Sequence, residues 1–244
     1  MPEPGPNLAG KDVTGLNASG ARLRNVFAPN AKITSAYLVN ASIEGDFEGV
    51  TMNGVLVAPL IEAEIERQHP VLKQLRTLRT ADELRANLEV AFGLWDALIE
   101  RASALDEVTV HAHVDLEWSF VETLRHLVYA TDAWFRHVVL DLPEPYHALA
   151  LSHTEARGHD PGIDLDASPS LAEVVAVWRA NQDELRAFAA TLTDDDLATR
   201  YEAKASPGHP YGDHSVRTVF WVVNNELYWH STYATRDLDA LTAG

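Results

Sequence analysis

The chain has no cysteine, only two methionines, and no apolar run approaching the ~18 residues of a membrane-spanning helix. Without thiols there is no disulfide framework, no thiolate metal site and no cysteine nucleophile, so any bound metal must sit on His, Asp or Glu. Basic residues are scarce too: 19 Lys and Arg stand against 36 Asp and Glu, a formal charge of −17 over 244 residues. A surface of that sign repels phosphate backbones and anionic lipid, which argues against a nucleic-acid partner on a basic face and against a membrane partner. The opening Met1-Pro2-Glu3-Pro4-Gly5-Pro6 lacks the basic and apolar regions of a secretory leader, so a cytoplasmic protein is expected.

What is present suffices for a packed core. Hydrophobic residues make up 46% and charged residues 23%, an ordinary globular balance rather than that of a disordered chain. The length suits one bundle of usual size plus a smaller appendage.

The appendage is written in a period of five. From residue 7 to residue 48 an apolar residue recurs at every fifth position with a small one two places earlier: Ala21/Leu23, Ala31/Ile33, Ala36/Leu38 and Ala41/Ile43, with Leu8 and Val13 in phase. Ala18, Ala28 and Glu48 are weak central residues. Five is neither the helical nor the strand period, and a fixed repeat points to a solenoid. The pattern resembles the pentapeptide-repeat family, which implies a short right-handed β-coil with the small and central residues pointing inward. About two coils cannot bury a core alone, so the segment is expected to lean on the following domain or on a second subunit.

Helices follow. Leu60, Ile61 and Ile65 share one face of a connector that runs from Ala58-Pro59 to His69-Pro70, where Pro70 is expected to end it. Thr80-Ala81-Asp82-Glu83, Ser119-Phe120-Val121-Glu122 and Ser170-Leu171-Ala172-Glu173 have the capping-box form and mark three helix starts. Behind the first run Leu84, Leu88 and Trp95; behind the second run Phe120, Leu124, Leu127, Thr131, Trp134 and Val138, whose alternating steps of four and three suit bundle packing. The third helix spans roughly Leu171 to Leu192, and the fourth Ser215 to Leu241. Two polar stretches, Leu142 to Pro169 and Ala203 to His214, are long enough for crossings in a bundle that is not simply up-down-up-down.

Continuing the stripe of the fourth helix past Val219 and Val223 lands on Glu226 and His230, ionisable groups where apolar ones belong. Burying a carboxylate costs several kcal/mol (roughly, in the absence of a partner or a metal), so the placement asks for one. His126, beside the seam of the second helix, could converge with them. A Glu-x-x-x-His pair alone is more often a solvated pair, and a lone buried His is more often a hydrogen-bonded core residue. Of the remaining histidines, His111, His113, His147, His153, His159, His209 and His214 are expected in surface roles, with His153 and His159 the first candidates for a fourth ligand or a general base. His69 and His137 look like ordinary surface positions.

Two separated motifs narrow the choice. Trp118-Ser119-Phe120-Val121-Glu122-Thr123-Leu124-Arg125-His126-Leu127 resembles the second-helix signature of the DinB-like superfamily, and Asn225-Glu226-Leu227-Tyr228-Trp229-His230 with Tyr233-Ala234 and Arg236-Asp237-Leu238 resembles its last helix. The likeness covers about residues 70 to 241. It implies a mainly α protein, a DinB-like four-helix bundle preceded by the pentapeptide β-coil, divided as 1–57 repeat segment, 58–79 helical connector and 80–244 bundle. It also implies a homodimer and one divalent ion, Zn first and Ni or Fe after it, held by His126, Glu226 and His230. Glu226 stands where the family pattern usually has His, a change that favours a harder metal. The function implied is a metal-dependent transferase or isomerase acting on a small-molecule substrate with a low-molecular-weight thiol such as mycothiol or bacillithiol, with hydrolysis as a neighbour. Catalytic and cofactor-binding residues are not assigned. The alternatives are a non-catalytic structural or binding protein and, remotely, DNA mimicry by the repeats.

Overall fold

The computed structural model describes residues 6–23, 26–153, 162–204 and 210–243, and the chain divides into two units, residues 1–47 and 48–244. Among the described residues of the first unit no strand forms, and every side chain up to Asp46 is exposed, Leu8, Leu23, Ile33, Leu38 and Ile43 included. The coil with inward-pointing central residues is therefore not seen; so short a stack has no second layer to cover it. Its backbone keeps a five-residue rhythm all the same, with positive φ at Gly10, Gly15, Gly20, Asn30, Ser35, Asn40 and Gly45. Gly and Asn tolerate that region best.

The second unit opens with a hairpin of β1 (Thr51–Met52) and β2 (Val55–Leu56), turned by Asn53-Gly54 with φ of 50° and 81°. Asn-Gly supplies the two left-handed residues that a twisted two-residue turn requires. Then come α1 (Ala58–Gln68) and α2 (Pro70–Arg76), joined at His69. Pro70 does not simply end the connector: it begins α2, where its missing N–H would have had no partner in any case. His69 is no ordinary surface residue either, since its Nδ1 pairs with the Tyr228 hydroxyl at 2.9 Å and its ring packs against Trp229.

The bundle consists of α3 (Ala81–Ser103), α5 (Phe120–Thr131) prolonged by a π turn over Asp132–His137, α6 (Leu171–Thr191) and α7 (Val216–Thr242), with the one-turn α4 (Glu107–Val110) between α3 and α5. Ser119 and Ser170 each accept the N–H of the Glu three residues on, and that Glu accepts the serine's own N–H. At Thr80 only half of this box forms, because Glu83 turns its carboxylate to the N–H and guanidinium of Arg79. A 3-10 turn (Asp195–Ala198) and the pair β3 (Arg200–Ala203) and β4 (Gly212–Ser215) link α6 to α7. No helix of the described residues is long and apolar enough to cross a membrane.

Each of α3 and α5 packs against both α6 and α7, so α3 lies diagonally across from α5 and α6 from α7. The diagonal crossings are therefore the α3–α5 and α6–α7 links. The stretch after Leu142 joins neighbours instead. Trp95, Trp178, Phe92, Phe220 and Leu124 fill the core between the helices.

What that neighbour link lacks in span it gains in anchorage. The buried Arg125 guanidinium donates to the carbonyls of Leu149 (2.9 Å), Ala167 (2.7 Å) and Asp164 (3.2 Å), and the Leu151 N–H returns a bond to Arg125 O at 3.1 Å. A π turn further on places Asp132 at 0% exposure, accepting from the His147 N–H at 2.8 Å and Asn181 Nδ2 at 3.2 Å. Burial pushes its carboxyl up to about 7, outweighing those bonds and Arg136. His147, whose N–H bonds this group, and His137, against Tyr146, are half-buried though expected at the surface.

Candidate metal centre

Two neighbouring helices bring the candidate ligands together. The Ser119 box fixes where α5 begins, so that Leu124 and Leu127 face the core and His126, at 7% exposure, is buried beside them. On α7, Val219, Phe220, Val223 and Leu227 form the buried stripe. Glu226 and His230 lie on its half-buried border rather than at its centre. This stretch of α7 is pinned from both sides: the Trp95 indole N–H donates to Leu227 O at 2.9 Å, and Asn224 Nδ2 to Leu75 O at 2.9 Å.

Glu226 Oε2 lies 3.2 Å from His230 Nε2 and 3.6 Å from His126 Nε2. The three ligand atoms all fall within 4.8 Å of one another. Ligands about 2.0–2.2 Å from a tetrahedral ion stand about 3.3–3.6 Å apart, so the two carboxylate–imidazole distances match edges of such a polyhedron. Among the described residues no other group of three His, Asp or Glu side chains is arranged this way.

The charges and tautomers of these groups suit a cation. His126 Nδ1–H donates to Leu151 O at 3.2 Å, which leaves a lone pair on Nε2 when the ring is neutral. Burial lowers the His126 pKa and so favours that neutral ring, against the pull of Glu226. Burial by itself raises Glu226, but hydrogen bonding and charge from the two imidazoles outweigh it and hold the carboxyl well below its ordinary range. His126 Nε2 and the Glu226 carboxylate face each other across 3.6 Å, a distance that a shared proton or a metal ion would reconcile. The donor set fits a divalent ion: two imidazoles and one carboxylate, with coordination positions left over.

Aromatic rings wall the site. Trp118 lies 4.6 Å from the His126 ring and stacks on His230 at 6.3 Å and 22°. Tyr129 packs on His126 at 5.9 Å, and Tyr233 meets His230 edge-on at 5.8 Å.

Among the described residues the other histidines do not join. His153 stands edge-on to Tyr129, which lies in turn against His126, so it makes no fourth ligand in this arrangement. His159 and His209 lie outside the described residues. His111 faces Glu107 at 3.4 Å, His113 pairs with Glu117 O at 2.7 Å, and His214 pairs with Tyr211 O at 2.8 Å. Arg125, Asp132 and the roofing role of Trp118 had no assignment from sequence. For Arg125 and Asp132 the available signal is a charged residue inside a run of apolar helix positions.

A family model described as the DinB superfamily matches residues 56–234. No curated protein and no solved structure matches the chain significantly.

Proposed function

The chain belongs to the DinB superfamily, and on that footing we propose that it binds one divalent ion, Zn before Ni or Fe, through His126, Glu226 and His230 and uses it in a transferase or isomerase reaction of a small molecule with a low-molecular-weight thiol. The observation that carries this reading is the Glu226 carboxylate oxygen held within 3.6 Å of imidazole nitrogens from two different helices. An ion there supplies Lewis acidity, enough to make a thiol or water a nucleophile near neutral pH. The chain's own groups do the rest. Leu151 O turns the free nitrogen of His126 into the site, Glu226 contributes negative charge that lowers the charge of the centre, and the rings of Trp118, Tyr129 and Tyr233 exclude water on their sides. With no cysteine in the chain, the thiol has to come from a cofactor.

The test is metal analysis of protein purified without an affinity tag, followed by thiol transfer to a model electrophile with mycothiol or bacillithiol. The parent is expected to carry one equivalent of metal, and Glu226→Gln and His230→Ala to lose it together with activity. Metal-free parent whose melting temperature is indifferent to chelator would replace this reading with a structural one. Stoichiometric metal without thiol-dependent turnover would keep the centre and remove the thiol.

A further inference from the structure

Metal-bound imidazoles are usually steered from their outer nitrogen, by a carbonyl or carboxylate that fixes both tautomer and ring angle. His126 has such a partner in Leu151 O. His230 does not: among the described residues no hydrogen bond reaches its Nδ1. Its ring is held instead between the face of Trp118, stacked at 22°, and the edge of Tyr233 at 87°. Trp118 also covers His126, at 4.6 Å, so that one indole lies on both imidazoles, themselves 4.8 Å apart.

Trp118 is held over the site at a cost in backbone strain. Asp115 and Leu116, just before it, both take positive φ, 51° and 65°. Two consecutive side-chain-bearing residues in that region are strained, and such strain persists where the surroundings over-determine it. Three contacts do so. Glu117 N–H closes a turn onto Val114 O at 2.9 Å, His113 Nδ1 donates to Glu117 O at 2.7 Å, and Ser119 N–H donates to Glu122 at 2.8 Å. Leu116 is 83% exposed, so burying its own side chain is not what offsets the strain. What the loop does present to the two imidazoles is the half-buried Trp118.

We propose that Trp118 is a positioning residue of the metal centre: its indole face fixes the ring angle of His230, as the Leu151 carbonyl fixes that of His126, so that both Nε2 atoms converge on Glu226. The inference rests on the triad being a metal centre. It predicts that the flat ring matters rather than apolar cover, since a stack restrains rotation of an imidazole where an aliphatic group does not.

Co(II) titration of apo protein tests it, because the visible bands of bound Co(II) report both affinity and coordination geometry. Trp118→Ala and Trp118→Leu are expected to weaken Co(II) binding about 10- to 100-fold, the range for lost outer partners of metal ligands, and to shift the bands. Trp118→Phe is expected to recover most of the affinity and the parental spectrum. The Leu variant keeps an apolar group at the position, so it decides the matter if the Ala variant does not fold. Parental affinity and spectrum in a folded Leu variant would overturn the role of Trp118 and leave the centre standing. No Co(II) binding by the parent would overturn the centre itself, and the inference with it.

Discussion

Burial holds the Asp132 carboxyl at a pKa of about 7, against an ordinary value of 3.8. Between those two values the unfolded chain has released the proton and the folded chain has kept it. Stability therefore falls as pH rises from about 4 to about 7 and levels off above, by about 4 kcal/mol at most. Asp132→Asn is expected to remove that slope. Urea unfolding of parent and variant at several pH values isolates it, because the other carboxyl groups titrate alike in both; a difference in free energy that stays flat across the window would refute the burial argument. Arg125 makes a second residue-level case. Replacing it with Met keeps the stem and takes the donor from the half-buried carbonyls of Leu149 and Ala167, at up to about 1–3 kcal/mol each, while Asp164 O keeps the Ala167 N–H. Faster hydrogen exchange at the Leu151 amide is expected, together with about 10-fold or greater loss of metal affinity, since Leu151 O steers His126. Unchanged exchange at Leu151 would show that the guanidinium does not hold the segment.

The helix starts are where sequence and structure agree most closely. Removing the Ser119 cap by Ser119→Ala is expected to cost about 1 kcal/mol, read as a lower denaturant midpoint at unchanged slope. Hydroxyl, spacing and carboxylate are all local, so the starts after Thr80, Ser119 and Ser170 could be placed before any fold was known. Glu226 and His230 stood out for a similar reason, as ionisable groups interrupting an apolar helical stripe. The rest depended on partners far away in the chain. Arg125 is explained by carbonyls 24 to 42 residues on, and a carbonyl leaves no mark on a sequence. Asp132 lies in a π turn that breaks the period by which its neighbours were read. Of the two polar stretches read as crossings, Ala203 to His214 lies in a diagonal link and Leu142 to Pro169 does not, because a bundle's diagonal pairs are decided by packing, not by link length. Asn53-Gly54 was legible and unread, since the hairpin it turns has only two residues in each strand.

For the molecule as a whole, the proposed ion would join α5 and α7 where His126 already faces Glu226. Chelation is expected to lower the melting temperature by several degrees. Free ion at a hundred times its dissociation constant adds about 2.7 kcal/mol to the folded state, and identical melting with and without chelator would argue against an ion at this seam. The first unit contributes no buried side chain among its described residues up to Asp46. A chain of residues 48–244 is therefore expected to keep its helical circular dichroism and to unfold within about 0.5 kcal/mol of the full length; a truncated chain that melts broadly would show that the repeats brace the bundle. One further consequence comes from the carbonyl of Leu151, which orients His126 from a segment that Arg125 clasps. Ion occupancy and order in that segment then draw on a single coupling free energy, and such couplings are reciprocal. A small molecule that gripped the segment would tighten a bound ion by the same factor by which the ion tightened the small molecule, the two communicating across one peptide group.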